Sequence, residues 1–145
     1  MRSVFLPLAL LFLLPGAAPV QAETCTLDVH IRGLRNTKGF AAAVIFSSAE
    51  GWPEQEDKAY AKDAVPVTGP TATISVPLPP GKYAVAVLHD ENENHKLDRN
   101  MLNIPTEGFG FANNPTVFFT APSFQRSEIN VGCPVTDINV KMIYK

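Results

Sequence analysis

The sequence predicts an all-β chain, a sandwich of about seven short strands with Greek-key connections and at most one short helix. Three observations predict it. Apolar residues recur at every second position through most of the chain, thirteen prolines punctuate its 145 residues, and helical signals are confined to one weak segment. Alternation of this kind puts one face of a strand on a core and the other in water. Several such runs between turn signals indicate two packed sheets. The pattern carries no strand order.

The chain opens as a secretory signal does. Arg2 is followed by an uncharged apolar run over residues 4–14, a Pro15-Gly16 break, and Val20-Gln21-Ala22 with small residues where a signal peptidase reads. The run is about half the ~20 residues that span a bilayer. Cleavage after Ala22 is therefore expected, leaving one domain over residues 23–145 in the periplasm or outside the cell. No later segment is apolar enough to be a membrane span. The formal net charge is −2, and loss of Arg2 makes it one unit more negative. A mildly acidic surface argues against nucleic acid as a partner.

Two cysteines remain, Cys25 and Cys133. In an exported chain a single pair reads as one disulfide, here stapling the first strand to the last stretch of chain. The alternative, a redox or metal-binding pair, lacks a C-x-x-C spacing and nearby histidines.

Residues 27–31 alternate Leu27, Val29 and Ile31 with Asp28 and His30, a half-buried strand. A turn over 33–39 leads into residues 40–46, apolar on both faces and hence expected to be central. From 47 to 65 the alternation lapses. Pro53, then Glu54, Glu56 and Asp57, with Lys58 and Lys62 behind them, has the charge order of a short helix. Residues 71–77 alternate again, and Leu78-Pro79-Pro80-Gly81 reads as a tight turn with glycine supplying positive φ. A strand over 82–88 should then complete a β-hairpin. Residues 128–131 and 137–144 are the last strands.

Residues 89–101, HDENENHKLDRNM, carry the chemistry. Asp90, Asn92, Asn94 and Asp98 form D-x-N-x-N-x-x-x-D, the spacing by which a tight loop points successive oxygens at one centre. Calcium takes six to eight hard oxygen ligands, and in calcium-loop order these residues occupy positions one, three, five and nine, with the Lys96 carbonyl at seven. Position six holds His95 instead of glycine, and position twelve holds Met101 instead of a bidentate glutamate. The missing carboxylate is expected from Glu107, or from Glu91 or Glu93 turned inward. Two alternatives stand beside calcium: an Asx turn bonded to its own backbone, and zinc on His89 and His95, whose spacing fits neither helix nor strand.

Gly108-Phe109-Gly110-Phe111, followed by Asn113-Asn114-Pro115, has two readings: a loop that drops rings into the core, or an aromatic platform for a ligand. Trp52, the one tryptophan, admits the same two. There is no G-x-S-x-G, no H-E-x-x-H and no phosphate-binding glycine loop. The expected role is a binding or structural accessory of the cell envelope, meeting an envelope protein or glycan, and not an enzyme. The rival is a hydrolase at the ion loop, with Glu107 or Asp98 as base and His89 or His95 as proton carrier.

Over nearly the whole mature length the chain resembles a bacterial family, domain of unknown function 2141. The resemblance rests on PLPPGKYAVAVLHDENENHKLD at residues 77–98 and MLNIPTEGFGFANN at 101–114. It is carried by Pro80-Gly81, Tyr83, the D-x-N-x-N loop and Ile104-Pro105-Thr106-Glu107-Gly108-Phe109-Gly110-Phe111. His95 stands where many relatives have glycine. The resemblance implies an exported β-domain and no particular activity. The proline-glycine-tyrosine segment is also similar to prealbumin-like domains, an analogy of fold alone.

Overall fold

The computed structural model describes residues 21–145. The charged start and apolar run of the expected signal lie outside these residues. The architecture is all-β, two sheets packed face to face. Strands β1 (Cys25–Arg32), β4 (Thr71–Leu78) and β8 (Val135–Lys141) form a three-stranded sheet in the order β4-β1-β8. Strands β2 (Phe40–Phe46), β3 (Ala61–Pro66), β5 (Gly81–Asp90) and β6 (Gly108–Phe111) form the second, ordered β3-β2-β5-β6. A short β7 (Glu128–Val131) pairs with the first half of β5, and β6 with the second half. Every pairing is antiparallel except β1 with β8, which runs parallel from Thr26 opposite Val135 to Arg32 opposite Lys141.

Alternation decides what lies between the sheets. Leu27, Val29 and Ile31 of β1, Ile74 and Val76 of β4 and Val140 of β8 meet Ala41, Ala43, Ile45, Val85 and Val87 of the second sheet. The intervening residues of the first sheet face water, where His30 links Asp137 and Thr73 across three strands at 2.7 and 3.1 Å. β2 and β5 are apolar on both faces because both faces are covered. Their outer side chains Val44, Phe46 and Ala84 pack with Phe124 under Trp52, whose ring lies 5.4 Å from that of Phe46. Trp52 is half-buried and its indole N–H donates to Pro122 O at 2.8 Å.

The disulfide is formed. Cys25 and Cys133 are bonded with their Cα atoms 4.6 Å apart, closing a sequence separation of 108 residues. Cys133 lies in the turn before β8, so the bridge joins the starts of the two parallel strands.

Three expectations are corrected. Residues 71–78 and 81–90 do not form a hairpin: β4 pairs with β1 and β5 with β2, so the Pro79-Pro80 corner carries the chain from one sheet to the other. Proline offers no N–H to a ladder, which suits a crossing better than a paired turn. Gly81 begins β5 and is not among the residues with positive φ. The helix after Pro53 reduces to one 3-10 turn at Glu56–Lys58, three residues having too few hydrogen bonds to propagate. Behind it comes β3, an edge strand whose Ala61 and Val65 are half-buried while Lys62, Asp63 and Pro66 are exposed. Charges and proline keep such an edge from pairing further.

The G-F-G-F segment is β6. A Cβ on Gly108 would lie 2.4 Å from the Tyr144 ring, and one on Gly110 would lie 2.7 Å from Val140. The glycines thus let the end of the chain cross the strand closely, which turns Phe109 and Phe111 to the opposite face. Asn114 then fastens the exit of β6 to β8, accepting from Lys141 N at 2.7 Å and donating to Asn139 O at 2.8 Å.

Candidate functional site

β5 delivers the chain into the oxygen-rich loop. Asp90, its last residue, is 3 % exposed, and its carboxylate accepts the backbone N–H groups of Asn94 at 3.1 Å and His95 at 2.7 Å. Asn92 Oδ1 accepts from Asn94 N at 3.2 Å, and Asn94 Oδ1 from Lys96 N at 3.0 Å. The two amide groups then converge on one carboxylate. Asn92 Nδ2 donates to Asp98 Oδ2 at 2.6 Å and Asn94 Nδ2 to Asp98 Oδ1 at 2.9 Å. All four expected side chains are therefore gathered in one turn.

Glu107 is brought to the loop from the start of β6 and is 5 % exposed. It clamps the loop's two ends, accepting Glu91 N at 2.9 Å and Asp98 N at 3.1 Å. Glu91 turns away from the loop, paired with Arg35 at 2.6 Å and accepting from Asn36 at 2.9 Å. Burial alone would raise its pKa, but the hydrogen bonds from Asn36 and Arg35 and the Arg35 charge outweigh it and hold the carboxyl below its usual range. Glu93 is exposed. Among the described residues no three His, Cys, Asp or Glu side chains meet as a ready metal group, so the loop's donor set is two carboxylates supplemented by amide and backbone oxygens.

His95 has φ +60° and Glu93 φ +63°. The departure from glycine at position six therefore leaves the left-handed turn in place and fills it with a residue that tolerates it poorly, at about 1–2 kcal/mol. His95→Gly should remove this strain. Net of the extra freedom glycine gains in the unfolded chain, a gain of about 0.5–1 kcal/mol is expected. Thermal unfolding in chelator should show it as a rise of roughly 2–5 °C, and a fall would mean that the imidazole itself holds the loop.

His89 is fully buried, with a partner at each ring nitrogen. Its Nε2 faces Lys38 O at 2.9 Å and must carry the proton, since a carbonyl only accepts; its Nδ1 then accepts from the Tyr144 hydroxyl at 2.8 Å. Burial, reinforced by the Glu91 charge, raises the Tyr144 pKa against the opposing pull of Arg35, which keeps the phenol a donor. Arg35 N donates to that hydroxyl at 3.1 Å and the Arg35 guanidinium lies 4.6 Å from the ring centroid. With both nitrogens engaged, His89 has none left for a metal.

Beside the loop, on the outer face of the five-stranded sheet, lies a groove of about 1150 Å³. Val44, Ala86, Leu88, Phe109 and Phe111 line its floor. Phe109 and Phe111 are only 7 % and 6 % exposed, so they are not the free aromatic platform that was one of their two readings. The exposed apolar groups belong to two loops above the groove: Leu102 and Ile104 on one, Phe118 and Phe119 on the other. The first of these loops is a small tip closed by Asn100, whose Oδ1 accepts the N–H groups of Leu102 and Ile104. Sequence reasoning passed over these residues. Their signal was apolar side chains clustered between prolines in segments without alternation, notably Val117-Phe118-Phe119 between Pro115 and Pro122.

A family model described as an uncharacterized protein conserved in bacteria (DUF2141) matches residues 29–139. The chain belongs to this family. No curated protein and no solved structure matches it. The family match runs from within β1 to within β8 and takes in the oxygen-rich loop and all of the groove lining except Lys145. Among the described residues no helix is long and apolar enough to cross a membrane.

Proposed function

We propose that this family member is an exported binding or structural accessory of the cell envelope, without catalytic activity, whose loop at residues 90–98 binds calcium and fixes the face beside the groove. The disulfide supports an oxidising compartment. The observation that carries the calcium reading is the pair of asparagine amides turned onto Asp98. Rotating each amide by half a turn aims its carbonyl oxygen at the same carboxylate, in exchange for the loop N–H that the oxygen now accepts, that of Asn94 on Asn92 and that of Lys96 on Asn94. A hard cation seated between them would then meet the oxygens of Asp90, Asn92, Asn94 and Asp98 and the Lys96 carbonyl. That set suits calcium in ligand type and number once water completes it. The positive φ at His95 supports the same turn. Calcium here supplies cohesion to the loop and no reaction step.

Calorimetry on protein stripped with chelator tests this. Calcium should bind one to one with measurable heat, and at a hundredfold excess over Kd it should stabilise the fold by about 2.7 kcal/mol. Asp98→Asn should weaken binding at least tenfold. Absence of heat with an unchanged melting curve would remove the ion and leave an Asx-bonded turn.

A further inference from the structure

We infer that the two loops overhanging the groove dock the protein on a lipid surface, their apolar tips entering the interface of a bilayer that carries no net charge. Four side chains carry the inference. Met101 and Leu102 on the first loop are 103 % and 79 % exposed, and Phe118 and Phe119 on the second are 74 % and 101 % exposed. Leu102, Phe118 and Phe119 rim one groove, so both loops stand over the same face of the sandwich. Large apolar groups held in water on neighbouring loops gain by leaving it together.

Entry into a bilayer also requires that backbone polar groups find partners within the chain. The first tip meets this requirement. Asn100 N donates to Ile104 O and Asn103 N to Asn100 O, both at 2.9 Å. Asn100 Oδ1 accepts the N–H groups of Leu102 at 2.9 Å and Ile104 at 3.1 Å. In the second loop, Val117 O accepts from Lys145 Nζ at 3.1 Å and Pro122 O from Trp52 Nε1 at 2.8 Å. Pro115 and Pro122, which bound that loop, bring no N–H at all.

Shape and charge select the partner. The four side chains sit on separate tips over a recess of about 1150 Å³, which offers a rigid protein no continuous face to match. Fluid acyl chains fill the space between such tips. The lining sets Glu54, Glu56 and Asp57 against Lys96, Arg99 and Lys145, so neither sign of headgroup is favoured. Binding then follows the apolar area that enters the interface. This inference does not rest on the calcium loop, and its test is run in chelator.

The experiment is flotation of the oxidised chain with phosphatidylcholine vesicles, with and without added phosphatidylglycerol. Reversible binding to phosphatidylcholine is expected, changed less than about twofold by the anionic lipid or by raising salt from about 50 to about 500 mM. Met101→Ser with Leu102→Ser, and separately Phe118→Ser with Phe119→Ser, should each weaken it at least about tenfold. The melting curves should not move, because all four positions are exposed. Phe119→Trp puts an indole on the second tip. Its emission should shift to the blue on vesicles and be quenched by lipids brominated in the acyl chains, with the unsubstituted chain as background. Several results would overturn the inference: no flotation, binding to anionic vesicles alone, binding lost at high salt, or binding that the tip substitutions leave intact. So would self-association of the lipid-free chain that the Phe118 and Phe119 substitutions abolish, which would make the tips a contact between copies.

Discussion

Replacing Cys25 and Cys133 together by alanine is expected to lower the unfolding free energy by about 4–5 kcal/mol. The bridge closes a separation of 108 residues, and the chain-entropy relation assigns a loop of about 100 residues roughly 4.7 kcal/mol. The position shows which closure the bond performs. Cys25 opens β1 and Cys133 precedes β8, and these strands are parallel neighbours drawn from opposite ends of the described chain. Parallel pairing has no hairpin to bring its strands together, so the cost of closure falls wholly on the unfolded chain unless the bond has already met it. Typical domains hold only about 5–15 kcal/mol in all, so the variant should lose a large share of its stability. Urea unfolding of the oxidised protein, the reduced protein and the double variant measures it. A loss under 1 kcal/mol would show that the reduced unfolded chain already holds its ends close, and would overturn the loop-entropy account.

Glu107→Ala carries the second-largest effect, a loss of about 3 kcal/mol that is already present in chelator. Both carboxylate oxygens accept backbone N–H groups, from Glu91 and Asp98, in a site only 5 % exposed. Hydrogen bonds to a charged acceptor contribute about 1.5–3 kcal/mol each, and truncation leaves two donors to find water. The same variant separates two roles for this residue. If Glu107 only clamps the loop from below, the loss measured in calcium exceeds that in chelator by no more than the fall in calcium affinity explains. A loss confined to calcium-loaded protein would instead make it a direct ligand. No loss in either condition would contradict the clamp geometry.

Residues close in sequence were the ones whose arrangement could be read in advance. The turn from Asp90 to Asp98 is a local object: its oxygens alternate along one stretch of chain, and the spacing alone brought the same four side chains together that the structure gathers. Glu107 was reached because it was the nearest unassigned acid, although its hold on the loop runs through backbone N–H groups that a list of side chains does not display. The hairpin failed for the opposite reason. A proline-rich corner announces that the chain turns, and Thr71–Leu78 alternates correctly, but nothing local says whether the next strand lies beside it or in the facing sheet. β3 escaped notice because an edge strand buries only Ala61 and Val65 and leaves its charges outside. The groove was the hardest to see, since its walls come from segments near residues 54, 102 and 118 that share no pattern.

By itself the sequence determined the all-β class, the inward face of most strands, the cysteine pair and the gathering of Asp90, Asn92, Asn94 and Asp98 in one turn, because each depends on a period or a spacing within the chain. Tertiary structure alone decided the strand order, the parallel closure of β1 on β8, the burial of His89 and the groove. Those depend on which surfaces meet across long separations, and a period of two fixes which side a residue faces without fixing what it faces.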